Sequence, residues 1–222
     1  MTHKSAKLRI LTLEEVRAAL RRTPLPGAIA HARMAPPGRP ALIPSGLPPE
    51  QQAAVLLLLY PREGQLHFVL TRRAAGLSHH GGQIALPGGR FEARDGSLAR
   101  TALREGKEEL GADLSAAELL GALSPLYVPS SRFVVHPFVA SLHTAPTFAP
   151  PANEVTAICH VPLGALLEPT ARTHVRRWLE HEGSWVEVPA WRFDTWEVWG
   201  ATAMLLSEFA ALLEEACKIE VR

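Results

Sequence analysis

The chain has 222 residues, 47% of them hydrophobic, with a formal net charge of +1 and a pI near 7.9. That length suits one domain with decorations and supplies a sizeable core. The near-neutral balance gives no electrostatic footprint for nucleic acid or an acidic membrane. Cys159 and Cys217 are too few for a disulfide framework and stand in apolar or helical surroundings, which favours buried thiols and a reducing compartment.

The first residues, "MTHKSAKLRILTLEEV", lack the apolar core of a secretory leader, and "AAVLLLLY" at 53–60 is too short to span a bilayer. A soluble cytoplasmic protein is expected. Thr12 followed by Glu15 forms a capping-box pattern that predicts a short helix ending before Pro24. The Pro/Gly-rich stretch 24–49 is expected to be an extended connector packed on the surface. Residues 1–50 are thus a helix and connector, and 51–222 the main domain. Strands are predicted at 53–60 and 66–71, joined by the turn "PREGQ".

A glycine-rich loop at 76–89 and the bend "RFEARDGS" lead to a helix over about 97–110, with Ser97 as N-cap and Gly111 as its stop. Further strands are predicted at 118–127, 133–142 and 154–161, with a short helix after Pro162 and a strand near 184–190. Residues 200–218 have apolar positions at i, i+3 and i+4, the pattern of an amphipathic helix. There is no internal repeat and no regular alternation of strand and helix. The expected class is α/β (α+β), a mixed sheet flanked by helices.

The helix at 97–110 poses a chemical question. At about 100° per residue, Leu98, Ala99, Ala102, Leu103, Gly106 and Leu110 make an apolar arc, with Arg100, Arg104 and Lys107 roughly opposite. Glu105, Glu108 and Glu109 fall between, and Glu109 projects almost into the apolar edge. Glu108 can pair with Arg104, four residues before it, whereas Glu105 and Glu109 lack such a partner on the helix. Carboxylates beside an apolar seam need a counter-charge from outside, because burying an unpaired charge is costly. A divalent cation such as Mg²⁺ or Mn²⁺ suits such oxygen donors and can bridge to phosphates. A solvated acidic stripe, or pairing with arginine or lysine from elsewhere, is the competing explanation. Gly88 and Gly89, ahead of the helix, let backbone approach a ligand closely.

The segment from Gly89 to Gly111 resembles the signature of the Nudix hydrolases, G-x5-E-x7-R-E-U-x-E-E-x-G-U. Arg104-Glu105 stand for R-E, Glu108-Glu109 for E-E, and Gly111 for the closing glycine. The first acidic position carries Asp95, one extra residue precedes Arg104, and Gly106 replaces an aliphatic residue. The variant is similar to the coenzyme A pyrophosphatase branch, whose upstream motif Leu70-Thr71-Arg72-Arg73-Ala74, Gly82-Gln83-Ile84-Ala85 and Leu86-Pro87-Gly88-Gly89 follow in register. Ser78 stands where that motif has a second arginine, and Leu86 where it has phenylalanine. "NEVTAICHVPLGALL" (153–167), "WEVWGATAMLL" (196–206) and "LTLEEVRAAL" resemble further segments of the branch.

The resemblance implies an α/β/α sandwich around a mixed sheet and metal-dependent hydrolysis of a diphosphate. The metal, Mg²⁺ or Mn²⁺, would be held by Glu105 and Glu109, with Glu108 close by, Arg104 orienting the glutamates and Gly89 presenting its backbone. The implied substrate is a small coenzyme A-like molecule, cut to 3′,5′-ADP and 4′-phosphopantetheine. A glutamate or a hydroxide would act as base, and the residues leave that choice open. Another diphosphate substrate, or a non-catalytic sensor domain, are the alternatives; retention of Arg104, Glu105, Glu108 and Glu109 argues against the sensor.

Arg72 and Arg73 follow a strand and can bind phosphate bidentately. His79 and His80 are candidate phosphate donors, Gly82 and Gln83 belong to the substrate motif, and Glu154 is placed near the metal site by its own motif. Against these stand plainer readings: solvated loop histidines, surface arginines and a lone glutamate. Trp178, Trp185, Trp191, Trp196 and Trp199 read as core and interface residues before an adenine platform. Arg172, Arg176 and Arg177 read as a solvated face, and Ser130-Ser131 as no nucleophile. A homodimer through the apolar connector or the tryptophan region is compatible with the sequence.

Overall fold

The computed structural model describes residues 8–39, 43–45, 47–76, 81–179 and 183–219. Ser78, His79 and His80 lie outside the described residues. The apolar run at 53–60 forms the middle of β1 (Gln52–Arg62), the central strand of a mixed sheet. One side of β1 runs parallel to β7 (Phe133–Ser141). On its other side, β1 pairs with β2 (Gln65–Arg73) only from Leu59 to Arg62. Further back the two strands part. β4 (Gly88–Arg90) pairs with the start of β1, and β3 (Ile84–Ala85) pairs with the end of β2. The part of the glycine-rich segment from Ile84 to Gly89 is therefore built into the sheet between two splayed strands.

β5 (Glu118–Ala122) and β6 (Leu126–Val128) both pair with β7, and β8 (Val155–Pro162) pairs with the outer side of β2. The continuous strand expected at 118–127 is broken at 123–125, where Pro125 has no N–H to give a ladder.

Both faces of β1 are buried, which is why its sequence reads as an unbroken apolar run instead of alternating. Leu56 and Leu58 join Ala102 and Leu110 of the acidic helix in one core. Leu57 and Leu59 face the other way, into a core with Val16, Leu206 and Phe209. Each fully buried leucine is worth about 1.5–3 kcal/mol. The acidic helix, α3 (Leu98–Leu110), thus covers one face, and α1 (Leu13–Leu20) with α4 (Gly200–Ile219) covers the other. This is the expected α/β/α sandwich around a mixed sheet.

The capping box holds: Glu15 N donates to Thr12 Oγ1 at 3.2 Å, and Thr12 N to Glu15 Oε2 at 2.6 Å. The connector is not extended throughout, as expected from its prolines and glycines, because Gly27–Ala32 forms a short helix, α2, packed on α4. The anchor is Glu208 of α4, which is fully buried. It accepts from His31 Nε2, Gly27 N and Ser124 N, each at 3.0 Å, and from Ser124 Oγ at 2.6 Å.

Between the short helix after Pro162 and the helix at 200–218, only a strand near 184–190 was expected. A three-stranded sheet is found instead, β9 (Arg172–Leu179), β10 (Ser184–Phe193) and β11 (Trp196–Trp199). In β9 the arginines hide the apolar alternation, for Val175 and Leu179 point into a small core with Val188 and Ala190. The short helix after Pro162 is a single 3₁₀ stretch, Leu163–Leu167. Among the described residues no helix is long and apolar enough to cross a membrane.

Candidate active site

Ser97 caps α3 by accepting from Arg100 N at 3.3 Å, and Gly111 ends the helix at φ +57°. A Cβ on Gly111 would collide with the Ala149 carbonyl, so the helix stops where the following chain crosses it closely. Gly106 has a packing reason: a Cβ there would lie 2.6 Å from Leu56 Cδ2. The leucine of β1 fills the space that an aliphatic residue of the helix would occupy.

Arg104 organises the acids. Its Nε donates to Asp95 Oδ1 at 2.7 Å and its Nη2 to Asp95 Oδ2 at 3.1 Å, a bidentate pair. Nη1 donates to Glu105 Oε1 at 2.8 Å and to Glu108 Oε2 at 3.0 Å, and Nη2 also reaches the Arg90 carbonyl at 3.1 Å. The expectation that Glu105 lacks a partner on its own helix is corrected: the adjacent Arg104 folds back to it. Asp95 is buried and also accepts from Thr101 Oγ1 at 2.8 Å and Glu92 N at 3.0 Å. The Arg104 guanidinium holds its carboxyl well below the usual carboxylate range. Sequence reading treated Asp95 as a departure from a pattern and missed that it seats Arg104. Its spacing, nine residues before the arginine, is the available signal.

Glu109 is 5% exposed, as its place at the apolar edge predicted. Its Oε1 accepts from Arg73 Nη1 at 2.9 Å, and its Oε2 from Gly88 N at 3.2 Å. Burial pushes this carboxyl up to about 7, with Arg73 and the Gly88 N–H opposing and Glu105 adding repulsion. Burial likewise raises Glu105, against the pull of Arg104. Gly88 and Gly89 are required by closeness: a Cβ on Gly88 would strike the β1 backbone at Ala54 and Val55, and one on Gly89 would lie 2.6 Å from Glu105 Oε1. The Glu105 carboxylate thus rests directly on the Gly89 backbone.

Among the described residues no three His, Cys, Asp or Glu side chains are gathered so as to hold a metal unaided. Two arginines pair with the carboxylates, Arg104 with Glu105 and Glu108 and Arg73 with Glu109. The donor set nevertheless fits a hard cation. Glu105, Glu108 and Glu109 offer only oxygen, the glycine cradle lets a ligand reach backbone, and burial leaves Glu109 short of positive charge.

The remaining predicted residues divide between two faces of β2. Arg73 points to α3. Arg72, the neighbouring residue, points to the opposite face, as strand alternation requires, and its guanidinium lies 4.8 Å from the Trp196 ring centre. Arg72, Gly82 and Gln83 line a cleft of about 450 Å³ together with Arg177, Thr195, Glu197 and Trp199 of the second sheet. Gly82 N donates to Arg73 O and Arg73 N to Gln83 O, both at 3.0 Å, so the loop is pinned to the strand end.

Glu154 O accepts from Ala74 N at 2.8 Å, which places it beside Arg73, but no described side-chain bond ties it to the carboxylates. Leu86 is buried in the core on the α4 side, so its difference from phenylalanine concerns packing. Trp191 is core, as expected, donating to Ala203 O at 3.1 Å. Trp178 and Trp185 are exposed, while Trp196 and Trp199 are half-buried. Arg177 is no free solvated charge: it donates to Glu197 at 2.8 Å.

Comparison with known proteins adds the family. The NUDIX domain pattern matches residues 50–181, more than half of the chain, ending two residues beyond β9. "Uncharacterized Nudix hydrolase NudL" of Yersinia enterocolitica is 35% identical over 167 residues, covering 71% of this chain and 79% of that protein. The protein of the same name from Cronobacter sakazakii is 33% identical over 180 residues, covering 80% and 90%. A crystal structure of a Nudix hydrolase from M. smegmatis, RenU, aligns with 77% of this chain and 88% of its own at 17% identity and a TM-score of 0.49. On the first two of these findings the chain belongs to the Nudix hydrolases, enzymes of the pyrophosphatase type.

Proposed function

We propose that the chain hydrolyses the diphosphate linkage of coenzyme A and its acyl derivatives, releasing 3′,5′-ADP and 4′-phosphopantetheine or its acyl form. The observation that carries this reading is the joining of two motifs in one place. Arg73, from the segment that resembles the coenzyme A branch, is bonded to Glu109 of the acidic helix. The enzyme acts in the cytoplasm on a free small molecule, without nucleic acid or membrane.

Glu105 and Glu109 would hold Mg²⁺ or Mn²⁺, with Glu108 and the Gly89 backbone at hand. When bound, the cation would supply charge neutralisation at the diphosphate and lower the pKa of a bound water. The chain's own groups do the positioning. Arg104, clamped by Asp95, fixes the Glu105 carboxylate. Arg73 stands where its second nitrogen face can donate to a phosphate oxygen. Glu108 is half exposed and bonded through one oxygen, which leaves the other to accept a proton from the attacking water.

The test is a panel of coenzyme A, ADP-ribose, NADH and nucleoside triphosphates at a few millimolar Mg²⁺ or Mn²⁺, with Glu109→Gln as control. Cleavage of coenzyme A to 3′,5′-ADP, abolished in the variant, is the expected result. Preference for another diphosphate would leave the hydrolase and remove coenzyme A. Ligand binding without cleavage would make the domain a sensor.

A further inference from the structure

The cleft on the far face of β2 has a use that the hydrolytic centre does not account for. Two guanidiniums, Arg72 and Arg177, line it against one carboxylate, Glu197. That carboxylate is shared: Oε2 takes Arg177 at 2.8 Å and Oε1 takes Arg192 at 3.1 Å. The local balance is therefore positive. Arg72 is exposed, and among the described residues no carboxylate or carbonyl accepts from its guanidinium, which rests on the Trp196 ring. Arg177 is fixed from two sides, by Glu197 and by the Trp199 ring, whose centre is 5.9 Å from its Cζ. A preorganised fork beside a free one, with an indole face in the wall, is built for a dianion carried next to a flat ring.

We propose that this cleft binds a phosphomonoester on the nucleoside end of the substrate, gripped by Arg72 and Arg177, with Trp199 beside the base. A phosphomonoester brings about −1.5 to −2 charges at pH 7 and three acceptor oxygens, matching two guanidinium forks. The position suits one extended substrate. Arg73 faces the carboxylates and Arg72 the cleft, so a molecule bent over the end of β2 sets its diphosphate on one face and its terminal phosphate on the other. The proposal rests on the coenzyme A reading above, in which that group is the 3′-phosphate. It makes the second sheet, most of which follows the segment matched by the family pattern, the element that reads the substrate.

The experiment is calorimetric titration, in EDTA, of 3′,5′-ADP and of 5′-AMP, which differ by that phosphate alone. It is run on the wild type, Arg72→Ala and Arg177→Ala. Arg177→Lys, which keeps the charge and lacks the fork, covers the case in which the alanine variant misfolds. The wild type should prefer 3′,5′-ADP by about tenfold or more, as charged hydrogen bonds imply. Each alanine variant should bring the two ligands within about twofold, with the lysine between. A wild type that binds both equally, or a preference that survives both alanine variants, overturns the proposal. Preference for 3′,5′-ADP in a protein that leaves coenzyme A intact would keep the cleft and remove the functional reading. Coenzyme A cleavage by a wild type that ignores the phosphate would do the reverse.

Discussion

Arg104 donates to three carboxylates and one backbone carbonyl, and Asp95 alone binds it through two nitrogens. Removing Asp95 frees the guanidinium to lean wholly on Glu105 and Glu108. Asp95→Ala should therefore lower Mn²⁺ affinity by about 10- to 100-fold, the usual cost of losing a group that orients a ligand. Circular dichroism should still report a folded protein. Affinity equal to wild type would show that Arg104 needs no seat. Gly89→Ala tests the cradle from the other side, since its methyl group displaces the Glu105 carboxylate. Metal affinity should drop while the melting temperature moves little, because the obstacle is a side-chain end and not backbone. The signature residues were legible in the sequence because spacing along one helix is local information. The Arg104–Asp95 clamp and the Arg73–Glu109 pair were not, because they join residues through a loop turn and between a strand and the helix packed on it.

At the scale of elements, helix α3 is fitted to β1 by missing side chains. Gly106 makes room for Leu56, and Gly111 both turns the chain at positive φ and lets Ala149 pass. Gly111→Ala should destabilise the fold by at least about 1–2 kcal/mol, the cost of a left-handed alanine alone, with the backbone collision added. A denaturant midpoint unchanged from wild type would contradict that packing. Helices α1, α3 and α4 were readable from caps and apolar spacing. α2 was not, since Pro26 and Gly27 at its start argue for a turn and only its contact with α4 makes six residues helical. Strand β9 was missed because three arginines occupy "RTHVRRWL" and conceal the inward Val175 and Leu179.

For the molecule as a whole, the buried Glu208 carboxylate ties connector, sheet and C-terminal helix together through four donors. Burial alone would raise its pKa, but His31, Ser124 and Gly27 outweigh burial and hold it below 4.5. A depressed carboxyl stabilises the fold above its unfolded pKa and loses that contribution as pH falls through the folded value. The wild type should hold its stability down to about pH 4.5 and lose it below, with Asp95 adding to the loss in the same direction. Glu208→Gln should be weaker at neutral pH and show a flatter acid profile. Glu208→Ala should cost about 3–5 kcal/mol, since buried donors lose their acceptor. Parallel acid profiles for wild type and Glu208→Gln would place the acid sensitivity elsewhere. The three-layer fold was inferable from the run of apolar and periodic segments. This fastening was not, because nothing in "SEFAALLEEACK" distinguishes the buried Glu208 from the half-buried Glu214 and the exposed Glu215.

The central claim is the proposal that the α3 carboxylates bind a divalent cation. The most direct measurement is an Mn²⁺ titration followed by electron paramagnetic resonance, on the wild type, Glu105→Gln and Glu109→Gln. The account predicts saturable Mn²⁺ binding by the wild type, displaced by Mg²⁺ and weakened by at least about 10-fold in each variant. Binding that is absent in the wild type, or unchanged in both variants, would contradict it.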